Sequence, residues 1–102
     1  MEILRAAVAG TMESSDALVT VEPAAAGTGI DLELDSVVIH QFGNRIRRTV
    51  TEVLARLEVE NVHIRIIDKG ALDCTLKARV ECAVYRSAGQ TDHLPWGGAI
   101  RS

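Results

Sequence analysis

Ile30-Asp31-Leu32-Glu33-Leu34-Asp35 alternates aliphatic and acidic residues without a break. An extended chain has a side-chain period of two, so the three aliphatics share one face and the three carboxylates the other. The segment is read as a half-buried strand with one solvated side. Three acids at alternate positions also suggest a metal cluster, but such a row is the ordinary outer face of a strand. A chain containing this segment contains a sheet, and the flanking segments say what covers it.

Downstream the period changes. Ser36 or His40 stands where a helix would start, and Ile46, Val50, Val53, Leu54 and Leu57 then recur at helical spacing. Arg45, Arg47, Arg48, Glu52 and Arg56 lie mostly between them, which predicts an amphipathic helix over 41–57. The arginines solvate its outer face; docking to an acidic partner is the functional alternative. Asn61-Val62-His63-Ile64-Arg65-Ile66 alternates again and predicts a further strand, with His63 and Arg65 on its polar side as surface residues.

Asp68-Lys69-Gly70 reads as a turn. The stretch after it is ambiguous. Leu72, Cys74, Leu76, Ala78, Val80, Cys82 and Val84 alternate as in a strand, yet Leu72, Leu76, Val80, Ala83 and Val84 also make one helical stripe. Its Ala, Leu, Lys, Arg and Glu content favours helix, and Ser87-Ala88-Gly89 supplies a stop. A hairpin starting at Asp68-Lys69-Gly70 remains the alternative. Residues 90–102, with Pro95 and Trp96, show no period and read as an extended tail that folds against a partner through Trp96.

Upstream, Ala17-Leu18-Val19-Thr20-Val21 is a strand ended by Pro23, followed by the small-residue loop Ala24-Ala25-Ala26-Gly27-Thr28-Gly29. Residues 6–12 form a short, mostly apolar segment suited to a sheet edge. Between them lies Gly10-Thr11-Met12-Glu13-Ser14-Ser15-Asp16, with two adjacent hydroxyls flanked by carboxylates. It is a polar turn by composition, and also the most compact set of reactive groups in the chain. One of its serines is therefore a candidate modification site.

The 102 residues suit one domain, read as 1–89 with the tail appended, that buries roughly 60 to 68 per cent of its unfolded surface. With one Phe, one Tyr and one Trp, its core is built from Val, Ile, Leu and Ala. A net charge of −3 and no basic patch argue against nucleic acid as a partner. No signal-peptide pattern follows Met1-Glu2-Ile3-Leu4-Arg5, and no stretch approaches the ~20 apolar residues of a membrane span, so a cytoplasmic location and no membrane partner are expected. Cys74 and Cys82 are separated by roughly 12 Å along a helix or 26 Å along a strand. Neither spacing permits a disulfide.

Enzyme signatures are missing. No phosphate loop, paired-glycine dinucleotide fingerprint, metalloprotease helix or nucleophile elbow occurs. His40, His63 and His93 sit in unrelated segments, and no metal-ligand spacing is present. Chemistry carried for other proteins stays open where chemistry performed alone does not.

Three pieces of sequence carry a family resemblance. The first is Ala7-Val8-Ala9-Gly10-Thr11-Met12-Glu13-Ser14-Ser15-Asp16, and the second is Gln41-Phe42-Gly43 at the helix start. The third is Asp68-Lys69-Gly70-Ala71-Leu72-Asp73-Cys74 running into Ala78-Arg79-Val80-Glu81, with Leu94-Pro95-Trp96 in the tail. In order and spacing the chain resembles the acyl carrier (gamma) subunit of citrate lyase. The resemblance implies a non-catalytic carrier of a covalently bound 2'-(5''-phosphoribosyl)-3'-dephospho-CoA group, joined by a phosphodiester to a serine. By position that serine is Ser14; Ser15 stands where the family also accepts glycine. Implied partners are the alpha (transferase) subunit, the beta (acyl lyase) subunit and a prosthetic-group transferase. The thiol of such a group holds an acetyl that the alpha subunit exchanges for citrate, and the beta subunit cleaves the citryl thioester to release oxaloacetate. The alternating strands imply an α+β domain of three to four antiparallel or mixed strands with two helices, not the four-helix bundle of ordinary acyl carriers. The carrier of a malonate decarboxylase or citramalate lyase, or a structural or regulatory subunit without cofactor, are the competing expectations. Glu13 and Asp16 beside the serine are unexplained at this level, since both repel an added phosphate.

Overall fold

The computed structural model describes residues 1–37 and 39–89. In chain order its elements are β1 (Ala7–Gly10), β2 (Ala17–Pro23), β3 (Ile30–Ser36), α1 (Ile39–Arg56), β4 (Val62–Asp68) and α2 (Asp73–Ser87). The strands make one mixed sheet in the order β1-β2-β4-β3. β2 is antiparallel to both β1 and β4, while β3 runs parallel to β4 through the α1 crossover. Among the described residues this is an α+β fold with four strands and two helices, and not a helical bundle.

The core follows from the two periods. Val19 and Val21 on β2, and Val62, Ile64 and Ile66 on β4, point to the same side of the sheet and are buried. Ile46, Val50, Val53 and Leu54 of α1 and Leu76, Val80, Ala83 and Val84 of α2 close over them in a single apolar cluster. Aliphatics therefore do the work that aromatics do elsewhere. The other side of the sheet is open, and there Asp31, Glu33 and Asp35 are exposed. His63 Nδ1 lies 2.8 Å from Asp31 Oδ2, and Arg65 faces Glu33 at 3.9 Å. β3 is an edge strand, so its apolar side is only partly covered, by α1, and Leu32 and Leu34 are half-buried. Its row of carboxylates discourages pairing with another chain.

The ambiguous stretch after Gly70 is helix. Leu76, Val80, Ala83, Val84 and Ser87 are its buried residues, whereas Cys74 is exposed and Cys82 half-buried, which a strand alternation would not produce. Small differences from the sequence reading have structural causes. Asp68 ends β4 rather than opening a turn, because its neighbours Ala17 and Ser36 both pair with it. α1 starts at Ile39 rather than at 41. The 90–102 tail with His93 and Trp96, and the His40 side chain, lie outside the described residues.

Topology brings several connections to one end of the sheet. Register places the start of β2 beside the ends of β4 and β3, with Ala17 against Asp68 and Ser36 against Asp68. The β1–β2 turn thus shares one end of the sheet with the β3–α1 and β4–α2 connections.

Candidate functional site

The turn over 11–16 begins where β1 stops. Gly10 has φ +93°, and a Cβ placed on it would lie 1.8 Å from the Ala17 carbonyl oxygen. Only glycine permits so close an approach of the two strands. Within the turn the Thr11 hydroxyl accepts the Glu13 N–H at 3.2 Å and donates to Asp16 Oδ2 at 2.7 Å. The Asp16 N–H donates to the Glu13 carbonyl at 3.1 Å.

Two further attachments hold the turn to the rest of the fold. The Ser15 N–H donates to the Lys69 carbonyl at 2.8 Å, and the Lys69 N–H donates to the Asp16 carbonyl at 2.9 Å. Arg79 of α2 grips the Asp16 carboxylate with two donors, Nε to Oδ1 at 2.9 Å and Nη2 to Oδ2 at 3.1 Å. Asp16 Oδ1 also accepts the Ala17 N–H at 2.7 Å. The Arg79 guanidinium, then the Thr11 hydroxyl and the Ala17 N–H, hold the Asp16 carboxyl well below the usual carboxylate range. Asp16 in turn raises the Arg79 value. This two-pronged geometry is the stronger form of an ion pair.

Lys69 can serve as an anchor because the loop bearing it is itself tied down. Asp68 is 2% exposed and accepts the Ser36 hydroxyl at 2.8 Å and the Ala71 N–H at 2.9 Å. Its carbonyl accepts the Val37 N–H at 3.2 Å. A buried carboxylate is tolerable only when its oxygens are bonded in this way. The chain of support runs from Asp68 to Lys69 and from there to Ser15 and Asp16.

Ser14 lies on this frame. The residue is exposed, and among the described residues its hydroxyl has no hydrogen-bond partner. Ser15 differs in its backbone: φ is +65°, in the left-handed region that glycine favours, and its N–H is committed to Lys69. A position where glycine would also serve is a turn-forming position, and the Ser15 backbone is of that kind. Glu13 is exposed, so of the two puzzling acids only Asp16 has a structural explanation.

His63 is bonded to Asp31 on the open face of the sheet, away from the turn, and is not brought to Ser14. Among the described residues no group of His, Cys, Asp and Glu could hold a metal ion. Sequence reading missed Arg79 and Asp68. Arg79 lay within the quoted Ala78-Arg79-Val80-Glu81 piece, but its partner is 63 positions away, and nothing local announces that pairing.

Comparison with known proteins sharpens this picture. The family described as malonate decarboxylase delta subunit (MdcD) has a sequence model that matches residues 4–87. The citrate lyase acyl carrier protein of Escherichia fergusonii is 54% identical over 97 residues, covering 95% of this chain and 98% of that protein. The chain belongs to the citrate lyase acyl carrier protein family. The carrier is also 54% identical over 96 residues to the citrate lyase acyl carrier protein of Streptococcus equi subsp. equi, covering 94% of this chain and 92% of that one. The Klebsiella pneumoniae protein of the same name is 50% identical over 96 residues, covering 94% and 97%. In fold the carrier is similar to a chain of a Pseudomonas malonate decarboxylase hetero-tetramer crystallised with malonate. The TM-score is 0.64 with 21% identity, covering 82% of this chain and 84% of that one.

Proposed function

We propose that the carrier serves a citrate lyase, with 2'-(5''-phosphoribosyl)-3'-dephospho-CoA attached through a phosphodiester to Ser14. The observation that carries the assignment is the exposed, unbonded Ser14 hydroxyl on a turn held at Thr11, Ser15 N–H and Asp16. Ser15 is also exposed, but that residue sits in the left-handed backbone region with its N–H committed to Lys69. Nothing has to be displaced for a bulky group to be attached there, so the residues present fit it. When bound, the group supplies a thiol that holds acyl chains as thioesters. The protein's part is attachment, presentation and reach. A tether keeps the thioester at high effective concentration near each partner active site.

Among the described residues no basic side chain is bonded to Ser14, so the carrier does not activate its own hydroxyl. Attachment then requires a prosthetic-group transferase that takes the Ser14 proton while the serine oxygen bonds to phosphorus and the donor's leaving group departs. The relatives' description as an acyl carrier protein supports a non-catalytic subunit, which in this reading works between an alpha (transferase) and a beta (acyl lyase) subunit. The reading sets the carrier in the cytoplasm; among the described residues no helix is long and apolar enough to cross a membrane. The names of the relatives at 50 to 54% identity support citrate lyase as the complex. The malonate decarboxylase reading draws on the family description and on the structural neighbour, whose identity is 21%.

Intact-mass spectrometry of the carrier made together with its modifying enzymes should show one large adduct, mapped to the peptide containing Ser14. Ser14→Ala should lose it and Ser15→Ala should keep it. An adduct on Ser14→Ala would overturn the assignment. Reconstitution with alpha and beta subunits should turn over citrate, and turnover of malonate with a decarboxylase instead would favour the second reading.

A further inference from the structure

Arg79 lies at the meeting of three elements. It rises from α2, and its stem passes so close to the end of β1 that a Cβ on Gly10 would be 3.1 Å from Arg79 Cδ. Its guanidinium ends on Asp16, two residues beyond Ser14. The Asp16 side chain is 14% exposed and that of Arg79 39%. Isolated surface ion pairs are weak because water and salt screen them. This one is two-pronged and partly withdrawn from water.

Charge near the acceptor hydroxyl matters for a specific reason. The group to be attached carries phosphate, and Glu13 and Asp16 flank Ser14 at one and two positions. Like charges disfavour approach. We propose that Arg79 promotes loading of Ser14 by cancelling the charge of Asp16, so that a phosphate-bearing donor meets one carboxylate beside the hydroxyl, Glu13, instead of two. The proposal rests on the Ser14 assignment made above. Arg79 acts through Asp16 and touches no reacting atom, so it is a positioning residue rather than a catalytic one. Asp16 keeps a separate task in the turn, accepting the Thr11 hydroxyl and the Ala17 N–H, which an asparagine carbonyl can partly retain.

That separation gives the test. The full-length carrier is incubated with the transferase and its phosphate-bearing donor, and loading is followed by intact mass at several donor and salt concentrations. Arg79→Met should lower loading kcat/KM by roughly tenfold or more, mainly through KM for the donor, and the deficit should shrink as salt screens the exposed carboxylate. Asp16→Asn should load at least as fast as the parent, and the double variant Asp16→Asn with Arg79→Met should recover most of the single-variant loss. A brace with no electrostatic task predicts the opposite, an equal loss in all three. That result, or parental loading by Arg79→Met, would overturn the proposal. If circular dichroism shows Arg79→Met unfolded, Asp16→Asn and the double variant decide alone: near-parental rates support charge cancellation, and a large loss in both overturns it. Ser14→Ala is run in parallel. An adduct on that variant sinks the premise, whereas its absence together with equal losses in the others sinks only the role of Arg79.

Discussion

Replacing Gly10 with alanine should damage the carrier more than any other glycine substitution of comparable backbone angle, and the size of the effect follows from the turn's construction. The backbone at Gly10 has φ +93°, which for an L-residue costs about 1–2 kcal/mol. The new methyl would also sit 1.8 Å from the Ala17 carbonyl oxygen and 3.0 Å from its carbon. Both are backbone atoms and cannot rotate away. Relief requires moving Ala17, which is fully buried, paired with Asp68 and bonded through its N–H to Asp16. We expect a total of about 3 kcal/mol, in the upper range of single substitutions. For a domain near this size that is a fall in Tm of roughly 12 to 24 °C. Gly27→Ala is the control: its φ is +89° but nothing lies within 4 Å, so only the backbone strain applies. Its expected cost is about 1 kcal/mol, or roughly 4 to 8 °C. Thermal unfolding followed by far-UV circular dichroism measures both. If the two variants fall by the same amount, the close approach of β1 to Ala17 is not what makes Gly10 necessary, and the account of the turn is wrong.

Other perturbations test the remaining supports. Asp68→Ala should cost about 1 to 3 kcal/mol in urea denaturation, because it removes a buried acceptor of the Ser36 hydroxyl and the acceptor of the part-buried Ala71 N–H. An unchanged midpoint would remove Asp68 from the chain of support. Leu54→Ala, at a fully buried site, should cost about 2 to 5 kcal/mol by the same measurement. His63→Ala should change stability by less than about 0.5 kcal/mol, since both members of its pair with Asp31 are half-exposed. On acidification, Asp16 is held below the ordinary carboxylate value of 3.8 in the folded state, so the unfolded chain takes up the proton first. The stabilisation by Asp16 is therefore complete above about pH 5 and is lost as pH falls through the unfolded and then the folded value. Arg79→Met should flatten the acid limb of a stability-against-pH curve, and an acid limb identical to the parent's would count against the clamp.

Much of the fold is legible in the chain because it is written in local periods. Ile30 to Asp35 alternates, and it is a strand whose carboxylates are exposed; Ile46, Val50, Val53 and Leu54 recur at helical spacing, and they are the buried stripe of α1. The composition of the serine turn likewise announces an exposed turn. In each case the residues that determine the outcome are neighbours along the chain. The stretch after Gly70 shows where this runs out, since strand and helix periods overlap there. The sheet settles it: α2 must lay one stripe over β1 and β2, and the helical stripe ending in Ala83, Val84 and Ser87 does so. Strand order and the parallel pairing of β3 with β4 are also tertiary outcomes, because pairing partners are chosen among distant segments by what can be buried together. The same holds for the grip of Arg79 on Asp16 and the burial of Asp68 beneath Ser36. By itself the sequence determined that an exposed serine-bearing turn exists between two strands. Only the folded chain decided that one neighbouring acid is neutralised, because the charge that does so arrives from a helix 63 positions away.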